Sequence, residues 1–412
     1  MKVPPAWREA IEELWRRKLR TGLTLLGLIF GVGAIVAMQG VGEGSRREAL
    51  RLVQSLGLNN LIVEANAPDN DDALKELRAR SLGLTRADAR AALEVVPGAQ
   101  AWAAEKRLRV RSVYSDVGSG DIQASGVSPD WFKLTSLAIA EGRGITDKDN
   151  KELATVAVLG HQAAAELFPD GKALGRLVKL DHVWLRVVGV LADRDLGKKK
   201  FEGVSLGSAS NRVFVPLASA QTRFSFQPME DPIDRFLLRI DDPSQLGADA
   251  RVLGDLLGQR HGGATDFSLV VPQQLYQQNQ KTQRIFSIVM GSIAAVSLLV
   301  GGIGIMNIML ANVLERRREI GLLRAIGARR NDIIARFLRE ATVICLTGAL
   351  IGILFGALLA YLIATFADWQ VAWAPIPIIL AAAACTLIGL AFSVYPARQA
   401  AALDPIDALR AE

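Results

Sequence analysis

The chain has 412 residues, is 50% hydrophobic, and carries a formal net charge of +6 with a pI of 9.4. Its apolar residues gather in four stretches without a charge, Thr21–Val41, Ile285–Leu314, Ala341–Ala367 and Trp369–Ala397, each offering the roughly 20 residues a spanning helix needs, which excludes an ordinary soluble protein. The basic surplus falls in the short segments on one side of these stretches, so the pI is a topology signal; nucleic-acid binding would need a basic stripe on a folded face.

In chain order, residues 1–20 predict an amphipathic interfacial helix, with Trp7, Ile11, Leu14 and Trp15 on its greasy side, feeding a first span at 21–41. Glu9, Glu12 and Glu13 in the leader, and no Ala-x-Ala after the apolar core, predict a retained anchor rather than a cleaved signal peptide. The helical rhythm continues through EGSRREALRLVQSLG, with Leu50, Val53 and Leu56 on one side, until Gly57. NLIVEA predicts a strand and NAPDNDDALKEL a loop. Thr85 caps a helix to Val96, stopped by Pro97-Gly98. Strands follow at Lys106–Tyr114 and Asp121–Val127, then a short helix in SPDWFKL capped by Ser128. LATVAVLG predicts a strand, HQAAAELF a helix, and Leu177–Leu180 and Trp184–Leu191 two strands turning at Asp181-His182. DRDLGKKKFEGVSLGSASN predicts a mobile loop. NRVFVPL and DRFLLRI are strands, Ser244–Gln259 a helix and FSLVV a last strand.

From Pro272, a polar helix former runs without a break into the second span, 285–314. At about 1.5 Å per residue it is roughly 65 Å long, against about 30 Å of hydrocarbon. Both spans flanking the 42–284 region therefore carry helical stalks. The third span is 341–366, a short outer loop 367–374, the fourth span 375–396 and a tail 397–412. Arginine and lysine placement puts the N-terminus, the 315–340 loop and the tail in the cytoplasm, and 42–284 outside. The expected fold is a polytopic α-helical membrane protein with four transmembrane helices and a large α+β extracytoplasmic domain between the first two.

No site for chemistry is legible. PDGKALG lacks the earlier glycine and the hydroxyl of a P-loop, and GVSLG at 203–207, a G-x-S-x-G match, falls in the Gly- and Lys-rich loop rather than at a strand-to-helix turn. His161, His182 and His261 lie far apart, and the only cysteines, Cys345 and Cys385, sit in spans. Catalytic, cofactor and metal residues are expected to be none. Gly301, Gly302 and Gly304, with Asn307 one turn on, form a small face on the second span suited to helix packing within the chain or to a dimer contact.

The loop Glu315–Asp332, ERRREIGLLRAIGARRND, is the most informative stretch. Residues 315–326 predict a helix with Ile320, Leu323 and Ile326 on one stripe and Leu322 at its border; Gly327 breaks the run, and Asn331 or Asp332 starts a second amphipathic piece entering the third span. Such a loop could lie on anionic lipid headgroups or present Ile/Leu anchors with an Arg and Glu rim to a cytoplasmic protein. The residues leave both readings open.

The stretch LLVGGIGIMNIMLANVLERRREIGLLRAIGARRNDIIARFLREA, together with VYPARQAAALDPIDALR and the opening WRRKLRTGLTLLGLIFGVGAIVAMQGVGEG, resembles the MacB/FtsX family of ABC-transporter permeases. The three motifs occur in the family's order across nearly the whole chain. The resemblance implies a permease homodimer in the bacterial inner membrane and an ABC ATPase dimer docked on the 315–340 loop, the coupling helix. Glu315, Arg316, Glu319, Ile320, Leu323, Arg324 and Gly327 would be its contact residues. Without a fused ATPase in these residues, it implies a separate ATPase subunit binding ATP and Mg²⁺. It further implies mechanotransmission to the outer domain, in an exporter or efflux system with a periplasmic adaptor and outer-membrane channel. An FtsX-like regulator of a cell-wall hydrolase and a lipoprotein-releasing permease share this plan. An inserted subdomain is expected near 128–210.

Overall fold

A computed structural model describes residues 18–66, 68, 70–193, 200–201, 204–205, 209–367 and 375–410. The chain divides into two compact units, residues 1–48 with 279–412, and Ala49–Gln278. The dividing points fall inside two long helices, α1 (Lys18–Leu56) and the helix that begins at Pro272.

The unit Ala49–Gln278 continues from α1 with β1 (Asn60–Ala65), α2 (Asp71–Arg78), α3 (Arg86–Val95), β2 (Ala99–Leu108), β3 (Val113–Tyr114), β4 (Ser119–Gly120), β5 (Gln123–Val127) and α4 (Trp131–Leu134). Next come β6 (Ile139–Gly142), α5 (Asp147–Lys151), β7 (Val156–Leu159), α6 (His161–Leu167), β8 (Leu177–Leu180), β9 (Val183–Leu191), β10 (Lys200–Phe201) and β11 (Val204–Ser205). It ends with β12 (Arg212–Pro216), α7 (Leu217–Arg223), β13 (Arg235–Ile240), α8 (Leu246–Arg260) and β14 (Phe267–Val270). One mixed sheet runs β14-β1-β13-β2-β5-β12-β7-β9-β8-β3-β4, with β6 on β9. The β5/β12 and β7/β9 pairs are parallel.

Strand alternation sorts the core. On β1 and β13, Leu61, Val63, Phe236 and Leu238 face one way and pack with residues of α3 and α8. Ile62 and Leu237, one residue out of phase, face the other way and pack with Trp131, Phe132 and Leu134 of α4. A third cluster joins Ala163 and Leu167 of α6 to Val178, Leu185, Val187, Val213 and Val215. Helix α3 starts as its sequence dictates: Thr85 and Asp88 form a capping box, each side chain accepting from the other's backbone N–H.

Three local expectations are corrected. Asp71–Arg78 is a helix and not a loop; its apolar residues Ala73, Leu74 and Leu77 keep helical spacing among charged neighbours, and it starts from the Asn70 side-chain Oδ1 accepting Asp72 N–H at 3.0 Å. The strand expected at Lys106–Tyr114 is split: β2 begins earlier, at Ala99, and ends at Leu108, and β3 is Val113–Tyr114. Its charged Glu105 and Lys106 are buried and paired, which hides the strand's alternation. Ser128 does not cap α4; its Oγ accepts from the Ala104 N–H at 3.0 Å, tying it to β2 instead. The interfacial helix expected over 1–20 lies outside the described residues but for Lys18–Arg20, which open α1. So does most of the loop expected over 193–211, of which β10 and β11 are an antiparallel pair.

The other unit is built on α1, α9 (Pro272–Glu315), α10 (Arg317–Ala325), α11 (Arg330–Ala367), α12 (Pro375–Ala402) and α13 (Pro405–Arg410). Four of these, α1, α9, α11 and α12, are long and apolar enough to cross a membrane. Leu28, Val32, Leu298, Ile305, Ile344, Cys345 and Cys385 are buried where they meet.

Candidate partner-docking site

Small residues set the spacing of the spanning helices. A Cβ on Gly27 of α1 would stand 3.0 Å from the Gly301 Cα on α9, and one on Gly301 would stand 2.9 Å from the Leu28 side chain. Gly302 likewise abuts Phe392 of α12. Of the face predicted on the second span, Gly301 and Gly302 are thus engaged within the chain, Gly304 is half-buried, and Asn307 is exposed.

Helix α10 is a short element with a defined stop. Gly327 takes φ +106°, the Gly327 N–H bonds Arg324 O at 3.2 Å, and the Ala328 N–H bonds Leu323 O at 3.0 Å. These are the two bonds of a Schellman ending, and a left-handed residue there is the reason for glycine. The next helix opens with the Asp332 carboxylate accepting the Arg329 N–H at 2.9 Å. Asp404 is the N-cap of α13, its side chain accepting Ile406 N–H at 2.8 Å.

The surroundings of α10 fix which face it offers. Ile320, 3% exposed, belongs to the core of this unit, and Leu323 packs against the same core. Gly321 lies against α13, where a Cβ would meet that of Ala408 at 2.7 Å. Arg324 Nη1 donates to Ala401 O at 3.1 Å, at the end of α12. Arg336 of α11 donates to Glu319 at 2.7 Å. Asn312 Nδ2 donates to Glu340 at 3.0 Å, with Arg316 3.8 Å from the same carboxylate. Ile320 and Leu323 do share a stripe, but the stripe faces the chain's own core. Leu322, 56% exposed, and Ile326, 74% exposed, face out instead, with Arg318, Arg329 and Arg330 exposed around them. Glu315, Glu319 and Gly327 are also exposed, and Arg316 and Arg324 half-buried. The signal that could have found this face is the i, i+4 pair Leu322 and Ile326, apolar residues flanked by arginines.

In the unit Ala49–Gln278, Glu105 is fully buried between Arg212 Nη1 (2.5 Å) and Arg235 Nε (2.6 Å), and accepts from Ser125 Oγ at 2.8 Å. Burial opposes its charge, but Arg235, Arg212 and Arg107 outweigh it and bring its pKa down to about 2. Lys106 Nζ reaches Glu230 (3.0 Å), Asp234 (3.1 Å) and Asp231 O (2.8 Å). These pairs clamp β2 to β12 and β13. His161 and His182 are exposed and His261 is buried. Among the described residues no group of three His, Cys, Asp or Glu is arranged to hold a metal.

Comparison with known proteins places this architecture. Residues 21–256 match the MacB-like periplasmic core domain, and residues 291–405 the FtsX-like permease C-terminal region. The macrolide export ATP-binding/permease protein MacB of Chromobacterium violaceum is 34% identical over 415 residues, covering 100% of this chain and 61% of that protein. The pyoverdine export ATP-binding/permease protein PvdT of Pseudomonas aeruginosa is 34% identical over 423 residues, covering 99% of this chain and 60% of that protein. The chain thus spans about three fifths of the length of the relatives it matches. The crystal structure of the periplasmic region of MacB from Actinobacillus actinomycetemcomitans overlaps 55% of this chain and 95% of that one, with a TM-score of 0.44 and 19% identity. Four apolar helices and a periplasmic-type domain fit an inner-membrane protein. The chain belongs to the MacB/FtsX-type family of ABC-transporter permeases.

Proposed function

We propose that this chain is the membrane subunit of an ABC exporter, without catalytic residues or cofactor of its own, and that it transmits the work of a separate ATPase subunit to its extracytoplasmic domain. The N-terminus, the 315–340 loop and the tail lie in the cytoplasm in this reading, and residues 42–284 outside. A homodimer of the chain would dock an ATPase dimer charged with ATP and Mg²⁺, and a periplasmic adaptor would meet the outer domain.

The observation that carries the reading is the outward pair Leu322 and Ile326 on a helix braced on its other side. A flexible loop would absorb a push; α10 is held by its Schellman ending, by Gly321 against Ala408, and by the bonds of Arg324 to Ala401 and of Glu319 to Arg336. An apolar centre rimmed by arginines is the composition of a protein-contact hot spot. Helices α1 and α9, of 39 and 44 residues, exceed what a bilayer needs and supply continuous rods. A cleft of about 530 Å³ in the outer unit is lined largely by polar residues, including Gln54, Asn59, Gln100, Arg239 and Asp241.

The test is co-purification from native membranes in mild detergent. The wild-type chain is expected to retain an ABC ATPase, and the Leu322→Asp/Ile326→Asp chain to lose it while remaining folded. Equal retention by both contradicts the docking assignment.

A further inference from the structure

His261 ends α8 and is 2% exposed, its ring held between two carboxylates. Nδ1 is 2.7 Å from Asp266 Oδ1, and Nε2, which has no hydrogen bond, is 3.5 Å from Asp88 Oδ2. Ser81 Oγ donates to Asp266 Oδ2 at 2.6 Å and stands 3.1 Å from His261 Nδ1. Arg78 Nη1 is 3.6 Å from Asp266 Oδ2, while Arg78 Nη2 donates to Asp231 at 2.7 Å. Asp88 also accepts from Arg260 Nε at 2.6 Å and from Thr85 Oγ1 at 2.6 Å. Phe267 closes the ring in edge-on, with centroids 5.4 Å apart.

This is not a hydrolytic triad. Ser81 and Asp266 both address Nδ1, so no ring nitrogen oriented by the acid is left to activate the hydroxyl. It is a clasp with a protonation requirement. An imidazolium turns one N–H toward each carboxylate; a neutral ring must turn a lone pair toward one of them, in a site closed to water. The groups it joins are far apart in sequence: residues 78–88, the end of α8, and the turn 262–266 that leads through β14 to Pro272, where α9 begins.

We propose that Asp88, His261 and Asp266 form a proton-operated clasp, holding the 262–266 turn to α3 when His261 is charged and releasing it when the proton leaves. The inference stands independently of ATPase docking. The Asp88 carboxylate, opposed by burial and aided by Asp266, raises the pKa of His261 above its ordinary value. A raised folded-state value means the clasp's stabilisation is complete below pH ~6.5 and is lost as pH rises through the folded value.

Hydrogen exchange of the full chain in detergent micelles, from about pH 6 to about pH 9 and corrected for intrinsic rates, reads this directly. Protection of peptides over 262–271 should fall as pH rises, by roughly tenfold for each pH unit by which the folded value exceeds that of a free histidine. Peptides over β7 and α6 should not follow. His261→Gln should abolish the step. Flat protection over 262–271 in the wild type, or the same step in His261→Gln, overturns the clasp. Should His261→Gln fail to fold, the His161→Gln/His182→Gln chain leaves His261 as its single imidazole. Its NMR titration should then have a midpoint above the ordinary histidine value; a midpoint at or below that value overturns the proposal.

Discussion

Gly321 of α10 and Ala408 of α13 touch so closely that a Cβ on the glycine would stand 2.7 Å from that of the alanine. The last helix of the chain thus backs the loop between the second and third spans. A larger residue at 321 has to push α13 away or lift α10 from the core. Gly321→Leu is expected to cost about 1–3 kcal/mol, the usual range for overpacking. A lowered thermal midpoint in micelles, with faster proteolysis after Arg324, checks it.

Ile320 and Leu322 differ by two positions and should behave oppositely. Ile320→Asp places a charge in the core of the membrane unit and should lower the thermal midpoint sharply, since even truncation of a buried isoleucine costs about 2–5 kcal/mol. Leu322→Asp changes an exposed site and should leave stability within about 0.5 kcal/mol of wild type. Scanning calorimetry of the two variants, paired with ATPase co-purification, separates an anchor of the fold from an anchor of a partner.

Gly327 tests the ending of α10. Its φ of +106° lies where L side chains are strained, and no atom is near enough to obstruct a Cβ. Gly327→Ala should therefore act through backbone strain, costing about 1 kcal/mol or more. Hydrogen exchange of residues 317–328 should report the loss, with α3 unaffected.

Glu105 gives the outer unit an acid dependence. Its folded pKa is depressed to about 2, so its contribution is complete above the ordinary glutamate range and is lost as pH falls toward that value. Glu105→Gln removes the charge facing Arg212 and Arg235 and should destabilise by roughly 3–5 kcal/mol, since it leaves buried guanidinium groups uncompensated. Urea unfolding at neutral and acid pH should show the two proteins converging as pH falls. A constant difference would place the stabilisation elsewhere.

What was legible in the sequence was what one segment determines alone. Charge-free runs mark four helices long and apolar enough to cross a membrane, and Thr85 marks the start of α3. The missed elements depend on distant partners or are masked by charge. Helix α2 is short and charge-rich, so the spacing of Ala73, Leu74 and Leu77 is easily passed over, and β2 hides its alternation behind a buried Glu105 and Lys106. Of the stripe expected on α10, Ile320 and Leu323 share a face but Ile326 does not, and that face turns inward because Ala401 and Ala408, some eighty residues on, take up the Gly321 and Arg324 side. The His261 clasp has the same origin, since Asp88 and His261 meet only once α3 and α8 pack on the sheet.

The account rests most heavily on the 315–340 loop facing the cytoplasm. The direct measurement is labelling of Ile326→Cys, in a chain with Cys345 and Cys385 changed to Ala, by a membrane-impermeant maleimide. Labelling only after the inner membrane is permeabilised is the predicted result. Labelling at full extent while that membrane is intact would put α10 beyond the reach of any cytoplasmic ATPase and contradict the account.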